Sequence, residues 1–400
     1  MLSNVGVEKK PYERYEANFW KLTIGLTLAS LLNFANLYVV QPLLPVFARE
    51  FSLTPTMSSF AMSLTTLSLV IGLLFFGFLS DHIGRIGIIQ WTLCLSVVPL
   101  LVIPLVDSYL WILMWRFITG FGIAGLPAVA IAYINEEIAR SSRGLIVTIY
   151  IASNALGGML GRFVSGYFAD HYSWEVGFYV IGVFGAFICF GCFLLLPKSR
   201  FFVQYNRTLK EDFLGMLVHL KNQKLAFAFL FGMMIQFGFT GIWTYIPFYL
   251  EQEPFYLSIH LISLVYFTYL FGVFGSPFAG RLAAKYNILH LMFFGLITMV
   301  IGVWITTLQT VAFVVLGLSI VCFGFFIAHS LTSAWIGETA THHKSGASSF
   351  YFFSYYIGVT VGGTAVGEIW STFHWIGVVV VCSILPAVFG ALFFIVAKKV

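Results

Sequence analysis

The stretch "GFLSDHIGR" (77–85) puts Asp81, His82 and Arg85 on one glycine-flanked turn at the end of a long apolar run. An acid and a base four positions apart can pair. The carboxylate can instead sit against the positive end of a neighbouring helix. Gly77 lets a helix come close and Gly84 lets the turn bend. On the residues alone, the plain reading is an interfacial ion pair that helps fix topology. Arg116, Arg162, His329 and Glu368 lie inside apolar runs. A charge at mid-bilayer costs roughly 2.5–3.5 kcal/mol on insertion scales, so each is a candidate for handling a solute or a proton. A histidine in water titrates near neutral pH, so His329 is a candidate proton relay or a hydrogen-bonded core histidine. Glu368 stands near the end of its run, where a solvated interfacial acid is the alternative.

The elements that hold these groups follow from composition. The chain is 60% hydrophobic and only 9% charged, with mean hydropathy +0.93. Soluble domains carry about 25% charged residues. The fold class is therefore an all-α membrane protein. Abundant glycine and aromatics favour packed helices over a barrel, whose strands would alternate polar and apolar. The five cysteines fall in apolar stretches without a zinc-like or disulfide framework and read as buried thiols.

Twelve transmembrane helices are predicted at 22–47, 58–80, 87–106, 110–134, 144–168, 175–197, 225–250, 259–280, 288–308, 310–335, 349–370 and 375–397. Residues 1–21 read as a polar N-terminal tail, because a signal peptide would place its apolar core earlier. Residues 22–197 make one six-helix bundle, 198–224 a linker, 225–397 a second bundle and 398–400 the C-terminus. With the N-terminus inside, all of the 21 Lys and Arg except Arg49, Arg116 and Arg162 lie on the inner side or its loops. The positive-inside rule then puts both termini in the cytoplasm. The same bias accounts for the net charge of +5 without a nucleic-acid partner.

The two halves echo each other. Pro45 and Pro247, Gly72 and Gly275, Gly77 and Gly280, Gly120 and Gly324, and Gly157-Gly158 and Gly362-Gly363 pair at offsets of 202 to 205 residues. An internal repeat of this kind predicts two bundles rocking about a central site.

The turn at 77–85 resembles the G-x-x-x-D-R-x-G-R-R signature of the major facilitator superfamily. Gly77, Asp81, Gly84 and Arg85 match; His82 and Ile86 replace its other two bases. The resemblance implies a gate latch between bundles, with Asp81 facing the start of helix 11 near Ser348 and Ser349. "RFITGFGIAG" (116–125) is similar to the helix 4 motif whose arginine is linked to proton coupling in exporters. "NALGGMLGR" (154–162) looks like the helix 5 motif of antiporters, with Gly158 where the family has proline and Arg162 where it has glycine. Over the whole chain the likeness is to the drug:proton antiporter branch. It implies two pseudo-symmetric six-helix bundles and alternating access. It also makes helices 1, 4, 7 and 10 the pathway, so that Asn33, Asn36, Arg116, Gln236 and His329 converge.

Gln41, Asn154, Arg162, Tyr245 and Tyr355 complete the expected cavity, although Asn and Gln in a membrane helix also serve as interhelical ties. Gly157, Gly158, Gly161, Gly358 and Gly362 are read as packing and hinge positions. Arg116, His329 and Glu368 are the expected proton-coupling groups. Many exporters of this branch carry an acid in helix 1; here there is none. Two deep arginines predict a cavity suited to an anionic or zwitterionic metabolite, such as a metallophore or a sugar acid. The expected partners are that solute, protons and the bilayer, with a monomeric protein. A multidrug exporter and an uptake symporter are the rival transporters. A membrane-embedded enzyme or receptor is the rival class, but no nucleophile motif, metal-spaced His/Asp cluster or phosphate-binding glycine loop appears. No metal and no cofactor are expected.

Overall fold

A computed structural model describes residues 10–204, 214–341 and 344–398. It is built of long apolar helices: α1 Ala17–Glu50, α2 Pro55–Ile83, α3 Arg85–Leu105, α4 Tyr109–Glu137, α5 Arg143–His171, α6 Trp174–Leu195, α7 Gln223–Glu251, α8 Ile259–Ala283, α9 Ile288–Ile305 and α10 Val311–Thr339. The last, Lys344–Lys398, runs 55 residues and breaks at His374, whose φ of 50° and ψ of −148° are not helical. We name its arms α11 (344–373) and α12 (375–398). Twelve crossings thus arise from eleven helical runs among the described residues, the last of them broken at His374. The predicted centres hold but the ends do not. α4 continues to Glu137, beyond its apolar run, because two acids at its end find cationic partners.

Local chemistry sets the ends and breaks. Thr54 caps α2, its Oγ1 accepting from the Met57 amide at 3.2 Å, with Pro55 as the first helical residue. Gly84 ends α2 with φ +99°, a conformation that costs glycine nothing. Pro42 and Pro45 remove two amide donors from α1, which ends its first part at Tyr38 and passes through a 3-10 turn at Gln41–Leu43. α8 has its own 3-10 turn at Tyr266–Thr268.

Each half uses the same packing device. A methyl at Gly157 or Gly161 of α5 would strike the Leu31 and Ala35 carbonyls of α1. One at Gly358 or Gly362 of α11 would strike the Met233 and Phe237 carbonyls of α7. Without side chains there, two backbones meet closely, which is how helices associate in lipid.

Contacts between the halves gather at the end of the molecule away from Asp81. There Arg49 pairs with Glu251. Thr364 Oγ1 donates to Ser63 Oγ at 2.6 Å, and the Thr66 and Thr360 hydroxyls lie 3.0 Å apart. Phe163 of α5 meets Phe267 of α8 edge to face at 5.6 Å. A methyl at Gly166, Gly363 or Gly367 would collide across this seam. At the opposite end, a methyl at Gly77 or Gly280 would meet nothing within 4 Å. The seam is closed at the far end and open at the latch end.

The latch end is tied within the first half. Glu137, fully buried, accepts from the Arg200 and Phe201 amides at 2.5 and 3.1 Å and from Arg200 Nε at 3.1 Å. The Arg200 guanidinium lies 3.5 Å over the Tyr12 ring, and the Tyr12 amide donates to the Glu137 carbonyl at 2.7 Å. Glu137 therefore joins α4 to the segment after α6 through its carboxylate and to the tail through its backbone carbonyl. The rest of the linker (205–213), residues 1–9 of the tail and residues 399–400 lie outside the described residues.

Candidate functional site between the bundles

Arg162 is the deep charge that reaches across the seam. It is 1% exposed. Its Nε donates to Gln41 Oε1 at 2.7 Å, Nη1 to the Gly158 carbonyl at 2.9 Å and Nη2 to the Tyr269 hydroxyl at 3.3 Å. Its guanidinium carbon lies 3.8, 4.9 and 4.6 Å from the ring centres of Tyr38, Tyr266 and Tyr269. No carboxylate pairs with it among the described residues. The two 3-10 turns explain the cage: one delivers Gln41, just beyond Tyr38, and the other Tyr266 and Tyr269. Gly158, the motif position where proline is usual, leaves room for the Tyr38 ring. A methyl there would lie 3.1 Å from that ring and 3.3 Å from Arg162 Nη1.

An aromatic wall continues from the cage into the second half. Trp243 stacks on Tyr266 at 5.1 Å and approaches Tyr269 at 4.5 Å. Phe239 stacks on Phe325 at 3.8 Å, and Phe325 on His329 at 5.6 Å. The His329 Nδ1 lies 2.7 Å from the Tyr351 hydroxyl, and its ring 4.9 Å from Tyr355. Trp243 Nε1 is buried without a partner. Tyr38, Tyr269, His329 and Tyr355 stay half-buried in mid-helix. Arginine and indole contribute donors to this gap, and the phenols contribute groups that both donate and accept.

Arg116 is placed elsewhere, which corrects the expectation that it lines the cavity. It is fully buried, and its Nη1 donates to the Asn36 carbonyl at 2.9 Å and Oδ1 at 3.3 Å. Nη2 donates to the Leu37 carbonyl at 2.8 Å and Nε to the Ala61 carbonyl at 3.2 Å. The proline break leaves carbonyls at the end of the first part of α1 short of donors, and Arg116 supplies them. Asn33 and Asn36 are corrected likewise. Asn33 donates to the Ile123 carbonyl at 3.2 Å and Asn36 to the Ser96 carbonyl at 2.6 Å, so both tie α1 to its own bundle. Asn154 meets Ser30 of α1.

In the second half, Gln236 donates to Thr240 at 2.9 Å while its Oε1 is buried and unpartnered. Tyr245 donates to the Gly363 carbonyl at 2.9 Å, within the closed far end. Glu368 is exposed, its carboxylate without a hydrogen bond among the described residues.

At the latch, Asp81 accepts from Arg85 Nη1 at 2.5 Å. Arg85 is 5% exposed and also donates to Ser80 at 2.8 Å and, through Nε and Nη2, to Glu136 Oε1 at 3.0 and 2.8 Å. No hydrogen bond joins Asp81 to α11 among the described residues. The cluster holds α2 to α4 instead. Its separation fits the open latch end.

Sequence reasoning missed Glu136, Glu137, Tyr38, Trp243, Tyr266 and Tyr269. The two glutamates read as loop residues past an apolar run. The aromatics differ in no way from lipid-facing rings, although "VVQPLLP" (39–45), with two prolines in one apolar run, marked where the first helix breaks.

The Major Facilitator Superfamily model matches residues 26–363. The MFS-type transporter YybF of Bacillus subtilis (strain 168) is 37% identical over 361 residues, covering 90% of this chain and 89% of that one. The inner membrane transport protein YnfM of Escherichia coli (strain K12) is 35% identical over 366 residues, covering 92% and 88%. Among solved structures, the fold is similar to a bacterial homologue of the human lysosomal transporter Spinster in an inward-facing, unoccupied conformation. The TM-score is 0.81 at 13% identity, over 96% of this chain and 98% of that one. It is also similar to the nucleoside transporter NupG, with TM-score 0.76 at 14% identity over 95% and 100%. These are transporters, not enzymes, and with its twelve crossings packed in two six-helix halves this chain belongs to the Major Facilitator Superfamily as a multi-pass membrane transporter of small molecules.

Proposed function

We propose that the protein is a proton-coupled efflux antiporter that carries a small carboxylate-bearing solute, anionic or zwitterionic, by alternating access in the bacterial inner membrane. The observation that carries this reading is Arg162: buried, caged by Tyr38, Tyr266 and Tyr269, and without a carboxylate partner among the described residues. A buried cation held only by neutral groups favours an incoming anion. Trp243 Nε1 adds a donor without a partner, and Phe239, Phe325 and Tyr355 supply a surface for the apolar part of the solute. His329 and Tyr351 form the relay of the proton reading. Asp81, Arg85 and Glu136 form the latch. The Lys and Arg distribution supports a cytoplasmic latch end and cytoplasmic termini. The closed far end then corresponds to an inward-facing state. The protein works as a monomer on this reading.

The test begins with comparative metabolite profiling of medium and cells with and without the protein. Carboxylates depleted from cells and enriched in medium are then tried in proteoliposomes under an imposed pH gradient, in both orientations. Gradient-driven movement of a carboxylate that fails in Arg162→Gln supports the reading. The aromatic wall favours a second one, a multidrug exporter of flat lipophilic compounds. Transport of ethidium with no carboxylate moved would establish that reading in place of the first. Uptake down the proton gradient would make the protein a symporter.

A further inference from the structure

At the far end, α5 closes on Asp170 and His171, and α8 opens one residue before His260. One ligand atom from each of the three lies within 4.8 Å of the other two. His260 follows His171 by 89 positions, so no spacing in the chain announces the group. We propose that Asp170, His171 and His260 form a transition-metal site that clamps the two bundles together at the far end.

The imidazoles are arranged for this. His171 Nδ1 lies 3.0 Å from the Tyr167 carbonyl, so the tautomer that donates there leaves Nε2 free as a ligand. Metal-bound histidines commonly hold their second nitrogen this way. The His171 ring stacks on Tyr167 at 4.4 Å, and the His260 ring stands 5.2 Å from both. Ring packing thus fixes both imidazoles while Asp170 and His171 stay exposed to an arriving ion. Ligand atoms around a tetrahedral zinc stand about 3.3 Å apart, so small side-chain rotations close the shell, with water as the fourth ligand. Two imidazoles and one carboxylate suit Zn²⁺, Ni²⁺ or Cu²⁺ rather than Mg²⁺ or Ca²⁺.

The ligands come from opposite sides of the seam. Opening the far end draws His260 away from Asp170 and His171 and leaves at most two ligands. A metal that binds only the closed seam shifts the population toward it. This conformational consequence rests on the alternating-access reading; the site itself does not.

The test uses the full chain purified in detergent without a polyhistidine tag. Zn²⁺ is titrated against a competing chromophoric chelator, with Mg²⁺ as control, and hydrogen–deuterium exchange is followed with and without Zn²⁺. We expect one Zn²⁺ per chain beyond that bound by His260→Gln or His171→Gln, and exchange at 163–174 and 257–268 slowed at least tenfold. Exchange at 346–356, on the latch end of α11, should quicken as the far end locks. Equal zinc in wild type and both variants overturns the site and leaves an ordinary ring cluster. Protection confined to α5 overturns the clamp. Zinc bound with both far-end segments protected, but 346–356 unchanged, upholds the clamp and overturns the rocking motion instead.

Discussion

Arg116 and Arg162 both sit deep in apolar helices of the first half, and both are buried almost completely. Arg116 gives its donors to α1 and α2, at Asn36, Leu37 and Ala61. Arg162 gives one to Gln41 of α1, one to its own helix, and one across the seam to Tyr269 of α8. The first is a strut inside one half; the second joins the two halves, which on the proposed alternating-access reading part for a solute to cross. Burial and helix position are the same for the two. What separates their roles is which body holds the acceptors, and only the tertiary structure gives that.

The comparison predicts opposite phenotypes. Arg116→Ala strands the carbonyls at the broken end of α1 and removes several charge-assisted hydrogen bonds, each worth about 1.5–3 kcal/mol. We expect a loss of about 3 kcal/mol or more, read as a large drop in thermal unfolding midpoint in detergent. A stable Arg116→Ala protein that had lost only transport would reverse the assignment of the two arginines. Arg162→Gln keeps a planar donor and removes the charge from a site with no anion to orphan. Loss of the Gln41, Gly158 and ring contacts should lower its unfolding midpoint, but by less than Arg116→Ala because the amide keeps a donor, while counterflow of the carboxylate substrate falls at least tenfold. Destabilisation matching that of Arg116→Ala would make Arg162 a second strut.

Much of this frame is legible in the chain. Apolar run length fixes the crossings, and the glycine stripes of α5 and α11 report two close helix contacts, each found where the stripe points. The acid and base of the turn at 81–85 mark a cluster. The partners are not legible, because each lies on another helix. Glu136 reads as loop until α4 is seen to extend beneath Arg85. Tyr266 and Tyr269 read as lipid-facing until the 3-10 turn brings them to Arg162. Asn33 and Asn36 show the converse error: a polar group in an apolar helix marks a need for a partner, and the backbone of a neighbouring helix meets that need as well as a solute does.

Gly77 sharpens the contrast between the two ends. Far-end glycines are crowded across the seam, whereas a methyl on Gly77 meets nothing. Gly77→Val should therefore change stability by no more than about 0.5 kcal/mol. If the latch end closes during the cycle, the same substitution obstructs that closure and slows transport several-fold. Full activity in Gly77→Val would show that α2 does not approach another helix closely there. Gly363, whose methyl would meet Ser63, is the control: Gly363→Val should loosen the closed far end in the unfolding measurement.

The smallest effect concerns the donor left over beside Arg162. Trp243 Nε1 is buried without a partner, and an unpaired buried donor costs about 1–3 kcal/mol. A residue held that way at a ligand site is explained if the solute supplies the acceptor. Replacing the indole N–H by sulfur through 3-benzothienylalanine incorporation at 243 keeps the ring stack on Tyr266 and deletes the donor. Without solute, the unfolding midpoint should hold or rise slightly. With solute, affinity should weaken about fivefold, the loss of one neutral hydrogen bond of about 1 kcal/mol. Unchanged affinity would remove Trp243 from the solute's partners and leave recognition to Arg162 and the tyrosines around it.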